Sequence, residues 1–197
     1  SGVVGRPTYG SAVAPTNLGS GGGYYGGGGA VILAVGGTTT VNGTISSGQV
    51  PGLYDDRRSG AAGGTISIRT GHLSGSGTIK VTGGPSSGNT GGGGGGRIAL
   101  FLSGSESFGA VGLQAYGGSA SAPMSGAAGT IYTEPASRSG GGGTLLINNG
   151  GIAVSADVVT QIPSPLYANA GELRAATLVI TNTAQVALTT NLTMGNL

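Results

Sequence analysis

The chain has 197 residues, 46 of them glycine, with 7% charged residues, a net charge of +2 and no cysteine. Disordered chains are rich in charge and poor in β-branched residues, the reverse of this one, and collagen needs glycine at every third position. The only basic cluster is Arg57-Arg58, directly after Asp55-Asp56, so nucleic acid, which is gripped by clustered Lys and Arg, is not an expected partner.

In chain order, the first strand-like run is "AVILAV" from Ala30, after a glycine stretch, and a shorter one, "GTIS", starts at Gly43. The same pair recurs as "TISIR" from Thr65 with "GTIKVTGG" from Gly77, then as "RIALF" from Arg97 with "VGLQAYGG" from Val111. It recurs again as "TIYTE" from Thr130 with "GTLLINNGG" from Gly143. Counted from Val31, the first runs start 34, 32 and 33 residues apart, and the second runs 34, 34 and 32 apart. Two independent landmarks with one period of about 33 residues indicate a stacked repeat. The alternation in "TISIR" and "TIKVT" is that of strands with one buried face, and glycine at this density opposes helix.

The expected fold is therefore all-β, a parallel β-solenoid with glycine-rich excursions, in which each coil buries its inner face on its neighbours. A β-sandwich is the alternative, since it too uses many short strands. Residues 1–151 read as about four glycine-rich repeats. Residues 152–197, with short runs at Leu178, Val186 and Leu192, read as plainer coils that continue the stack and end in a docking strand. The glycine runs fall at one place in every repeat, so they would line one side of a solenoid. They would form either mobile loops or an ordered layer of extended, polyglycine-II-like segments. Tyr24 and Tyr25, inside "GSGGGYYGGGGA", could cap such a layer.

The words "LSGSGTIKVTGGPSSGNTGGGGGGRIALF", "LQAYGGSASAPMSGAAGTIYTE" and "GTLLINNGG" resemble a glycine-rich repeat of very large secreted and cell-surface bacterial proteins. The resemblance covers roughly residues 20–151. It implies a β-helical stalk with an extracellular, structural or adhesive role, and it supplies no catalytic residue.

No constellation for chemistry stands out. His72, the one histidine, lies in "RTGHLSG" without the strand–turn–helix serine motif of a hydrolase. Among the six carboxylates only Asp55 and Asp56 are adjacent, and neighbours on a strand point to opposite faces. "LYDDRRSG" reads as a self-neutralising turn in which Asp55, Asp56, Arg57 and Arg58 pair locally or across a subunit contact. The glycine runs lack the Asp of calcium-binding repeats, and Lys80 is followed by Val81 rather than the Ser or Thr of a phosphate loop. No enzyme, metal or cofactor is expected.

The longest apolar run, Ala30 to Val35, is far short of the ~20 residues of a membrane helix. The expected role is a non-enzymatic subunit of an extracellular filament, stalk or surface layer that stacks head-to-tail on itself. The uncharged "NLTMGNL" offers Leu192, Met194 and Leu197, after Leu188, as an uncapped strand edge. The alternative is an adhesin, on a cell surface or a phage tail tip, whose glycine-rich loops and tyrosines contact surface glycans or a receptor.

Overall fold

A computed structural model of the chain describes residues 9–23, 25–49, 59–86, 90–121, 124–162 and 170–189. Four first strands, β1 (Ala30–Thr40), β3 (Thr65–Ser74), β5 (Arg97–Leu102) and β7 (Thr130–Glu134), stack in that order and in parallel. The short strands β2 (Thr44–Ser46), β4 (Thr78–Lys80) and β6 (Gly112–Gln114) form a second parallel sheet. β1 to β6 therefore each pair with their equivalents in the adjacent repeat and not with their sequence neighbours. That is a β-solenoid of about four turns, and not a β-sandwich.

The register explains the 33-residue period. Val31, Ile66, Ile98 and Ile131 fall in one column, as do Ile45, Ile79 and Leu113 in the second sheet. Ile66, Ile68, Ile98, Leu100 and Ile131 face Ile79 and Val81 across the coil interior. Burying each such side chain contributes about 1.5–3 kcal/mol.

The glycine runs form an ordered layer instead of mobile loops. Gly60 and Gly63 donate to the carbonyls of Gly91 and Gly94, at 2.9 and 3.0 Å. One coil further, Gly92 and Gly95 donate to Met124 and Ala127, at 2.8 and 2.9 Å. A second row repeats the pattern, with Gly83 donating to Tyr116 and Ser86 to Ser119. A bond to the next coil at every third residue is what an extended helix of three residues per turn produces.

The two rows are also tied to each other. Gly126 donates to Gly118, Gly118 to Gly93, Gly93 to Gly84 and Gly84 to Ala61, at 2.7–2.9 Å. Side chains end this chain of bonds. Ala61 donates to Gln49 Oε1 at 2.7 Å. At the other end the fully buried Asn149 receives the Gly117 N–H on Oδ1 and donates Nδ2 to the Gly126 carbonyl.

β8 (Thr144–Asn148) departs from the repeat. As part of "GTLLINNGG" it was expected to be a fourth short strand in line with β2, β4 and β6. Instead it joins the first sheet antiparallel to β7, with Ile131 opposite Leu146 and Tyr132 opposite Leu145. β10 (Thr177–Thr181) then adds in parallel to β8, while β9 (Thr160–Ile162) and β11 (Val186–Leu188) pair separately.

The turn between β7 and β8 accounts for the reversal. Gly140 and Gly141 take φ of +95° and +100°, and both donate to the carboxylate of Glu134, at 3.1 and 3.0 Å. Tyr132 donates its hydroxyl to the same carboxylate at 2.6 Å and receives the Gly143 N–H at 3.1 Å. The later coils thus lie on the opposite face of the first sheet. There Phe101, Tyr132, Leu145, Ile147 and Leu178 form a second core with Ile162 and Leu173. Buried on both faces, β5 reads as a nearly continuous apolar run and not as an alternation.

Two predictions follow from crowding and burial. A Cβ at Gly93 would drive into the Ala61 carbonyl, and one at Gly95 into that of Ala115, whereas at Gly94 its nearest neighbour is 3.9 Å away. Gly94→Ala should therefore leave the urea midpoint close to native, as Ala62 and Ala127 at the same register position suggest. Gly93→Ala and Gly95→Ala should each cost about 3 kcal/mol.

Burial, and then the bond to Glu134, push the Tyr132 hydroxyl far above its ordinary ionisation range. The folded form thus keeps this proton while the unfolded tyrosine loses it above pH ~10. The stability involved is complete below that pH and falls as pH rises beyond it. Urea midpoints between pH 8 and 11 should fall less steeply for Tyr132→Phe than for the native chain.

Candidate functional site

Strand stacking leaves two edges. β1 and β10 end the six-stranded sheet, and among the described residues neither has a strand on its outer side. Edge strands in soluble proteins are commonly blunted by charge, proline or a bulge. "AVILAVGGTTT" and "TLVIT" contain no charge and no proline. β1 does have a register irregularity, but only between Val35 and Thr38. Its first half is a regular, open edge.

Exposed apolar side chains gather at the same two places. Among the described residues the large ones are Leu18, Ile32, Val179, Ile180 and Leu188. Ile32 is 60% exposed on β1, while Val31 and Leu33, on the opposite face, lie half-buried against the first core. Leu18 is the exception, on the N-terminal segment: its carbonyl receives the Tyr9 hydroxyl, and the Asn17 and Ser20 carbonyls beside it receive the Thr65 hydroxyl and the Ala62 N–H of the second coil. At the other end Val179 and Ile180 stand on β10, and Leu188 on β11, the last strands among the described residues. An exposed apolar side chain is unremarkable singly; segregation to the two ends of a stack is the informative pattern.

Of the residues singled out in the sequence, Leu188 is thus placed at the open end and is exposed. Tyr25 is half-buried, and its carbonyl receives the Gly22 N–H at 2.9 Å, within the first glycine segment. Tyr24, Asp55, Asp56, Arg57, Arg58, Leu192, Met194 and Leu197 lie outside the described residues. Val179, Ile180 and Ile32 escaped the sequence reading, although "TLVIT" and "AVILAV" carry a signal. Each sets apolar residues side by side where a strand with one wet face would alternate.

Away from the edges, a cavity of about 40 Å³ lies where the N-terminal segment crosses the coil rim, lined by Gly10, Arg97, Thr130, Thr160 and Glu172 among others. Burial lowers the pKa of the Arg97 guanidinium, opposed by Tyr9 and Glu172 nearby, and the group sits 5.5 Å from the centre of the Tyr9 ring. The Glu172 carboxylate receives the Ser11 hydroxyl and the Ala12 N–H, the latter at 3.1 Å, which anchors the N-terminal segment. Thr130 Oγ1 is buried and has no hydrogen-bond partner. Ligand pockets are typically ~300–1,000 Å³, so this cavity has the size of a hydration site.

His72 lies on β3, exposed and opposite Thr38. No group of three or more His, Asp and Glu converges on a possible metal position among the described residues. No known protein family, characterised protein or solved structure matches the chain.

Removing the unpaired Thr130 hydroxyl while keeping its shape should cost nothing. Thr130→Val is expected to raise the urea midpoint slightly, by up to about 1 kcal/mol in stability. A loss of stability would mean that the hydroxyl has a partner, such as an ordered water, that the variant forfeits.

Proposed function

We propose that this chain is a non-enzymatic structural subunit that stacks head-to-tail into an extracellular filament, stalk or surface layer. The observation that carries the reading is the segregation of Ile32, Val179, Ile180 and Leu188 to the two open ends of the stack among the described residues.

Physical chemistry makes such ends adhesive. An open strand edge has a row of backbone donors and acceptors in need of partners. Apolar side chains beside it release roughly 25 cal/mol per Å² when covered. The β1 end and the β10 end are different surfaces, so contact between them is heterologous and propagates instead of closing. With 7% charged residues, copies repel one another weakly. The resemblance to glycine-rich repeats of secreted bacterial proteins supports an extracellular setting.

Negative-stain electron microscopy of the native chain at low micromolar concentration should show long, regular fibres. Val179→Lys/Ile180→Lys, with charges on one edge only, should give single particles of unchanged circular dichroism. Discrete native particles, or fibres undiminished by the two lysines, would overturn the reading.

A further inference from the structure

The chain contains its own example of how a repeat strand meets a C-terminal strand. β7 and β8 pair antiparallel in the register Ile131↔Leu146, Tyr132↔Leu145, Thr133↔Thr144. In the parallel columns, Ile131, Tyr132 and Thr133 correspond to Val31, Ile32 and Leu33 of β1. Leu146, Leu145 and Thr144 correspond to Val179, Leu178 and Thr177 of β10. The strands at the internal seam thus have their equivalents at the two open edges.

Facing and direction then agree on one geometry. Leu146 packs against the first core, and Val179 shares its column. Val31 and Leu33 pack against that same core from β1. On the other face, Leu145 and Tyr132 belong to the second core, with Leu178 and Ile32 in their columns. A second copy displaced along the stack without rotation brings β10 against β1 with both faces matched. Because β10 runs opposite to β1 within the sheet, that pairing is antiparallel. Turning the second copy by half a revolution about the stack would make the strands parallel, but it would also set each core face against the wrong one.

We infer that the partner of the β10 edge is the β1 edge of a second copy, joined in an antiparallel seam with Val31↔Val179, Ile32↔Leu178 and Leu33↔Thr177. This rests on the head-to-tail reading above and adds its direction and register. The seam repeats the residue columns and facing of the β7–β8 junction on the opposite backbone edge of each strand, so the six-stranded sheet continues from copy to copy with a reversal at every join and one within every chain. The β1 irregularity after Val35 limits the matched stretch to the first half of that strand.

Cysteine pairs test the register in a chain that has no cysteine of its own. Directly opposed residues lie about 4.5–5.5 Å apart and diagonal ones ~7–8 Å, while a disulfide spans Cα separations of about 4.4–6.8 Å. Single-cysteine chains are mixed, assembled, oxidised and run on a non-reducing gel. Val31→Cys with Val179→Cys, and Ala30→Cys with Ile180→Cys, should give the linked dimer. Leu33→Cys with Val179→Cys, and Ile32→Cys with Ile180→Cys, should lose it.

Fibre formation is checked by microscopy in every mixture. Fibres with linkage through Val31/Val179 and Ile32/Ile180 would establish a parallel seam and overturn this one while sparing the assembly reading. Fibres linked through Leu33/Val179, or by Val31→Cys to its own kind, would likewise overturn the register. Absence of fibres from the native chain would remove the assembly reading and the seam with it. Within one chain β1 and β10 are five strand spacings apart, roughly 24 Å, so any such link is between copies.

Discussion

A chain of backbone hydrogen bonds, running from Asn149 through Gly126, Gly118, Gly93, Gly84 and Ala61 to Gln49, holds the glycine side of the solenoid together. Its links are possible only because two extended segments pass each other too closely for a Cβ. An ordinary β-solenoid coil closes through side chains on every face. Here one face is closed mainly by peptide groups, with the Gln49 and Asn149 side chains at its ends, and every buried N–H and C=O on it must find a partner. The period-three bonding meets that requirement. It also explains why glycine, costly to order elsewhere, is dense at one side of the stack and sparse in the strands.

That closed side sets the spacing of everything else. With the glycine rows locked coil to coil, β1, β3, β5 and β7 stack in register, and their inward Ile, Leu and Val residues meet β4 across one core. Beyond β7 the described residues build no further glycine row. Asn149 substitutes a side-chain amide for the missing backbone, and the chain turns back on the Glu134 carboxylate. The reversal gives the first sheet a second buried face. It makes Phe101 and Tyr132, which point away from the solenoid interior, members of a core of their own, with ring centres 5.7 Å apart.

The reversal also decides what the ends look like. A simple solenoid would present the same strand direction at both ends. This chain presents β1 in one direction and β10 in the other, each with apolar side chains that the interior does not cover.

Much of this was legible in the sequence. The 33-residue period, the strand positions and the stacking of equivalent strands follow from local chemistry, since β-branched alternation and glycine placement repeat with the coil. What the period could not disclose was the sheet that "GTLLINNGG" joins, because its pattern suits either sheet and the decision rests on a turn made by Glu134, Gly140 and Gly141. Nor could composition tell an ordered glycine layer from loose loops. Glycine carries no side-chain pattern to read, and only the neighbouring coil, one repeat away in sequence and a hydrogen bond away in space, gives each run its shape. The exposed Ile32, Val179 and Ile180 were hidden likewise, for an apolar residue reads as core until the tertiary structure shows which strands have no neighbour. The sequence by itself determined the repeat and its β character, because both are written in local periodicity. Tertiary structure alone decided the reversal, the second core and the open edges, because each depends on which distant segments come to lie side by side.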